Sequence, residues 1–118
     1  MGPAYTVLTK PGQVMGTLDY LAPELIRGEA ATPATDIYAF GCVVYECITG
    51  TPPFGGKSLF EIGSAHLNTP PPDPAETRPE VSPSLSWAVL KALDKDPAQR
   101  PPTATTYASL LHVAAGRR

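Results

Sequence analysis

DIYAFGCVVYECIT, residues 36–49, is the stretch on which the fold turns. From Ile37 to Ile48 only Gly41 and Glu46 are not apolar. The run is too long for one buried strand and has the length of a helix. A helix apolar on nearly all sides belongs at the centre of a domain. Thr35 is read as its N-cap, Asp36 complements the positive end of the helix dipole, and Gly50 ends it.

Outward from this element the chain keeps reading as helix. On the N-terminal side, Pro23 suits a first helical position and Gly28 a stop, so a short helix is expected around Pro23 to Arg27. The first 15 residues show no sustained period and read as an irregular arm. On the C-terminal side, TPPFGG (51–56) is a turn cluster. Ser58 with Glu61 then forms a capping box that opens a helix to about Asn68. A proline-rich connection, TPPPDPAETRPEVSP (69–83), follows. A connection of that length within a compact domain needs a reason. Ser84 is read as the cap of the next helix, whose apolar positions Leu85, Ala88, Val89, Ala92 and Leu93 recur at helical spacing. A last helix runs from about Thr103 to Ala115, with Tyr107, Leu110, Leu111 and Ala114 on one face. No strand pattern of comparable quality occurs. The expected class is all-α, with one short and four main helices.

Composition narrows the functions open to such a chain. It has 118 residues, room for one small domain. Apolar residues make up 42%, enough for a core. Nine Lys and Arg against eleven Asp and Glu give a net charge of −2. Without a basic block, nucleic-acid binding is not expected. No apolar run reaches the length of a membrane span, and no secretory signal is recognisable. Met1-Gly2 with Thr6 loosely fits a myristoylation pattern that Pro3 disfavours. Two cysteines, Cys42 and Cys47, make neither a disulfide framework nor a zinc site, which points to a reducing, cytoplasmic setting. His66 and His112 lack ligand-spaced partners and read as surface or partly buried residues. Trp87 and Tyr107 read as core. Fifteen prolines exclude a long coiled coil.

Three separated signals share one order: Gly16-Thr17 with Ala22-Pro23-Glu24 in GTLDYLAPE, Asp36 and Gly41 in DIYAFG, and Arg100 in LDKDPAQRP. Together they resemble the C-terminal half of the protein kinase domain, in detail that of the eukaryotic-like Ser/Thr kinases of bacteria. The resemblance runs from about Thr9 to Leu111. It implies that residues 1–21 are the end of an activation segment with a substrate-facing loop, that 22–115 form a helical C-lobe, and that 116–118 are a tail. It implies a structural ion pair between Glu24 and Arg100, for which a guanidinium suits a carboxylate well. Asp36 would accept hydrogen bonds from a catalytic loop, and with that loop absent its carboxylate is expected to lack a partner. Gly16 and Thr17 would lie beside the acceptor hydroxyl, and Thr9, with Thr6 a weaker second, would be a phosphosite.

The motifs that do the chemistry in that family do not occur in this sequence. There is no Gly-rich phosphate loop, no strand Lys, no HRD Asp and no DFG Asp. No residue is therefore assigned a catalytic, cofactor or metal role. ATP and magnesium are expected only with a full-length kinase, as is a protein acceptor carrying Ser or Thr. The expected function is Ser/Thr protein kinase by family, carried as a C-lobe portion that is inactive alone and marginally stable or prone to associate. The alternatives are a stand-alone protein-binding module, whose uncovered face should have turned polar, and a remnant without function.

Overall fold

The computed structural model describes residues 18–116. Every regular element among them is helical: α1 (Pro23–Ile26), α2 (Pro33–Thr49), α3 (Leu59–Asn68), α4 (Pro83–Lys91) and α5 (Ala104–Ala114). Two 3-10 turns, Pro74–Glu76 and Pro97–Gln99, stand before and after α4. This is the expected set of one short and four main helices.

The high proline content has a structural use. Pro23, Pro33, Pro74, Pro83 and Pro97 each occupy the start of a helix or 3-10 turn. There the missing N–H costs nothing and the fixed φ is already helical. The residue before each proline is held extended, as a cap must be. Three of those residues accept a backbone N–H through their side chains: Asp73 from Ala75, Ser82 from Leu85 and Asp96 from Ala98.

Two caps differ from the sequence expectation for this reason. α2 starts at Pro33, with Thr32 as N-cap, and Thr35 is the third helical residue whose Oγ1 accepts the Thr32 N–H at 3.0 Å. α4 starts at Pro83 with Ser82 as N-cap, so Ser84 already lies inside the helix. In both places the Thr-Pro or Ser-Pro pair wins, because proline at the first position and an oxygen at the cap act together. The α3 capping box lies where expected, between Ser58 and Glu61.

α2 runs through the centre. It buries Ile37, Tyr38, Gly41, Cys42 and Tyr45 against α4 and its exit, where Val89, Ala92 and Leu93 are fully enclosed. Tyr107 of α5 is buried beside Ile37 and Ala92, and its hydroxyl donates to the Val89 carbonyl at 3.0 Å. Gly41 lets the two helices close: a Cβ there would stand 2.7 Å from the Ala92 Cβ. α2 ends at Gly50, whose φ of 93° is the left-handed cap that glycine takes without strain. The proline-rich connection is pinned to the core. Tyr45 donates to the Pro72 carbonyl at 2.9 Å, and Ser86 donates to Asp73 at 2.6 Å.

Three expectations change. Trp87 is 57% exposed, with the Lys91 ammonium 5.9 Å from its ring centre, and is not a core residue. His66 is fully buried, where a surface or partly buried residue was expected. α2 is not enclosed on all sides: Phe40, Val43 and Cys47 are exposed.

Candidate functional site

The site is built where the chain enters α1 and meets the first half of α2 and the end of α3. Ala22 and Pro23 are buried, and α1 is a single turn with Glu24 in its first turn. So short a helix cannot hold itself. What holds it is Arg100, which follows the second 3-10 turn directly.

Glu24 and Arg100 are 3% and 4% exposed. Nη1 donates to Oε2 at 2.8 Å and Nη2 to Oε1 at 2.9 Å, a bidentate pair. The remaining guanidinium protons are also used. Nε donates to the Asp94 carbonyl at 2.8 Å and Nη1 to the Ala34 carbonyl at 2.9 Å. The Tyr38 ring lies 4.9 Å from the guanidinium carbon. Thr35 Oγ1 donates to Glu24 Oε2 at 2.9 Å, so the residue expected to cap α2 instead joins the pair. Burial opposes ionisation of Glu24, but hydrogen bonds from Arg100, the backbone and Thr35 outweigh it and draw its pKa down to about 2. A charge pair this deeply buried stands because each donor and oxygen is satisfied.

A second cluster lies beneath it. Tyr38 meets His66 at 2.7 Å between Oη and Nδ1, and His66 Nε2 meets the Leu18 carbonyl at 2.9 Å. Phe54 packs edge-on against the imidazole at 5.2 Å, with the Lys95 ammonium 4.9 Å from the Phe54 ring. Lys95 donates to the Ala65 carbonyl at 3.1 Å. Burial pushes the Lys95 ammonium down to about 8. Burial likewise takes His66 to about 4, against the hydrogen bond to Leu18 and with help from the Lys95 charge. Nearby, Tyr20 donates to Glu46 of α2, and this bond and burial raise the Tyr20 hydroxyl to about 12.

Of the residues singled out in the sequence, Ala22, Pro23, Glu24, Gly41 and Arg100 are buried around α1 and α2. Asp36 is exposed in the first turn of α2, and no described residue hydrogen-bonds its carboxylate. Gly16, Thr17, Thr9 and Thr6 lie outside the described residues. Sequence reasoning missed Thr35, Tyr38, His66 and Lys95 as parts of the site. A signal existed only for Thr35, through Thr32-Pro33. Among the described residues no three His, Cys, Asp or Glu side chains stand close enough together to hold a metal ion. No described helix is long and apolar enough to cross a membrane.

What the arrangement does is mechanical. It clamps α1 and the turn ahead of it onto a helical core, the first through Arg100 and the second through His66. The chain is 41% identical over 108 residues to the serine/threonine-protein kinase PknD of Mycobacterium tuberculosis, covering 91% of this chain and 16% of that one. It is 40% identical over 111 residues to the serine/threonine-protein kinase PknB of Mycolicibacterium smegmatis, covering 93% of this chain and 18% of that one. The chain thus spans roughly a sixth of the length of the curated relatives it matches. Its fold is similar to the twitchin kinase region of C. elegans, with a TM-score of 0.72 and 24% identity over 82% of this chain and 17% of that one. Residues 4–111 match the family model described as the protein kinase domain, and the chain belongs to that family.

Proposed function

We infer that this chain supplies the helical, acceptor-facing half of a Ser/Thr protein kinase. On this reading, phosphate passes from ATP to a protein Ser or Thr only when an ATP-binding half is joined to it. The chain alone transfers none, because its sequence holds no HRD or DFG aspartate to serve as base or to hold magnesium.

The observation that carries the reading is the buried, bidentate Glu24–Arg100 pair. It fixes Glu24, the last residue of the GTLDYLAPE motif, to the helices, and the resemblance puts the acceptor beside the start of that motif. The outer face of α2 supports the same reading against a free-standing binding module. Asp36, Phe40, Val43 and Cys47 follow one another at helical spacing along that face. Phe40 and Val43 are 40% and 45% exposed. A module adapted to stand alone would carry polar residues there. A carboxylate that no described residue bonds, above an apolar stripe, is instead a surface that another part of an enzyme covers.

The test measures phosphate transfer from radiolabelled ATP with magnesium to a generic Ser/Thr protein acceptor. One arm uses the chain alone; the other fuses it to the ATP-binding half of a relative such as PknD. No transfer alone and transfer to Ser or Thr by the fusion is the expected result. Turnover by the chain alone, or a folded fusion that binds ATP and transfers nothing, would overturn the proposal.

A further inference from the structure

The Leu18 carbonyl accepts two hydrogen bonds. One comes from the Leu21 N–H at 3.2 Å and closes the turn that leads into α1. The other comes from His66, whose Nε2 lies 2.9 Å away. A carbonyl only accepts, so Nε2 carries the proton. In a neutral imidazole Nδ1 is then an acceptor, and the Tyr38 hydroxyl at 2.7 Å donates to it. The result is a directed chain, Tyr38 O–H to His66 Nδ1, then His66 Nε2–H to the Leu18 carbonyl. It joins α2, α3 and the segment before α1.

The surroundings fix the ring in this state. Tyr38 and Phe54 stand edge-on to it at 5.5 and 5.2 Å. The Lys95 ammonium, held over Phe54 and by the Ala65 carbonyl, opposes a second positive charge on the imidazole. An apolar side chain of similar size would fill the space. It would leave the Tyr38 hydroxyl and one lone pair of the Leu18 carbonyl without a partner.

We propose that His66 is a positioning residue for the acceptor-facing segment: through the Leu18 carbonyl, one residue after Thr17, it sets where that segment stands relative to α2 and α3. The Glu24–Arg100 pair fixes α1 from one side, and His66 fixes the turn ahead of α1 from the other. That the segment faces an acceptor rests on the function proposed above. That His66 holds it rests on the geometry alone.

The experiment has two levels. On the chain itself, nitrogen NMR of labelled histidine reads the His66 tautomer, and amide exchange at Leu21 reads the turn. Wild type, His66→Phe and His66→Gln are compared. Gln is the conservative variant, because its amide both donates and accepts at similar reach. The expected results are a neutral Nε2–H imidazole in wild type, and exchange at Leu21 at least about tenfold faster in H66F with α2 and α4 amides little changed. In H66Q, exchange at Leu21 returns close to the wild-type rate. An Nδ1–H tautomer in wild type, unchanged exchange at Leu21 in H66F, or a uniform loss of protection in both variants would overturn the assignment. If H66F fails to fold, the wild-type tautomer and H66Q decide.

At the second level, the fusion with an ATP-binding half is assayed. H66F is expected to raise KM for the protein acceptor several-fold, with KM for ATP unchanged and H66Q near wild type. An acceptor KM that does not move, while the turn is loosened, overturns the role in acceptor positioning. Absence of turnover in the wild-type fusion is failure of the proposed function, and the tautomer and exchange results then decide the His66 assignment without it.

Discussion

Arg100 reaches Glu24 across 76 positions of sequence and grips both carboxylate oxygens, at 2.8 and 2.9 Å, with both residues almost wholly out of solvent. Removing one partner strands the other charge. Arg100→Ala is therefore expected to cost about 3–5 kcal/mol, a large part of the stability of a domain this size. Arg100→Lys keeps the charge but loses the fork that serves Glu24, Ala34 and Asp94 together, and should cost about 2 kcal/mol. The Glu24→Ala, Arg100→Ala double variant should be no less stable than the worse single one, because no charge is left unpaired. Urea unfolding measures these three and the Glu24→Ala single variant that closes the cycle. Additive losses in the double variant would show that the pair does not act as a unit.

Acid is expected to weaken the fold in two stages. His66 titrates near 4 in place of its ordinary 6.5, so between those values the unfolded chain takes up a proton that the folded chain refuses. Stability then falls as pH drops from about 6.5 to about 4, by on the order of 3 kcal/mol. Glu24 titrates near 2 in place of 4.5, and the stability due to its pairing is present above 4.5 and lost as pH falls toward 2. Urea midpoints measured from pH 7.5 to 2 should show both stages. His66→Gln should flatten the upper one and leave the lower. A midpoint that stays level from pH 6.5 to 4.5 in wild type would contradict the buried neutral histidine.

How much of this the sequence made legible depends on the range of each interaction. The number and order of helices were readable because helical periodicity and glycine stops are local. The starts of α2 and α4 were misplaced by two or three residues because Thr35 and Ser84 are good cap residues in isolation. The better cap in each case precedes a proline, at Thr32-Pro33 and Ser82-Pro83. The Glu24–Arg100 pair was expected from resemblance, since no local pattern links positions so far apart. His66 carried no signal: its burial and both its hydrogen bonds come from elements 28 and 48 residues away. The open face of α2 was likewise invisible, because an apolar sequence does not say which of its sides will be covered.

Two helix glycines offer a matched comparison. Gly41→Ala would set a Cβ 2.7 Å from the Ala92 Cβ and 3.0 Å from Leu93 Cδ2, where α2 meets the end of α4. Overpacking of that kind costs about 1–3 kcal/mol, more than the gain of roughly 1 kcal/mol in helix propensity. A Cβ added at Gly63, inside α3, would meet nothing within 4 Å. Gly63→Ala should therefore stabilise the chain by about 0.5–1 kcal/mol. Thermal melts of the two variants should move in opposite directions, and a destabilised Gly63→Ala would contradict the open space seen beside α3.

The start of α4 gives a direct contest between two serines. Ser82 Oγ accepts the Leu85 N–H at 3.1 Å, ahead of Pro83 at the first helical position, whereas Ser84 lies inside the first turn and is exposed. Ser82→Ala removes the acceptor for an end N–H that α4 cannot satisfy internally and should cost about 1 kcal/mol. Ser84→Ala replaces a weaker helix former with the best one and should be neutral or stabilising by a few tenths of a kcal/mol. The comparison also bears on the proline-rich connection. Ser82 fixes the angle at which that connection enters α4, one helical turn before Ser86, whose hydroxyl donates to Asp73. Loss of the cap should therefore loosen residues 73–76 as well, read as faster amide exchange at Glu76 and Thr77 in S82A but not in S84A. Equal exchange in the two variants would mean that the Asp73–Ser86 bond alone holds the connection in place.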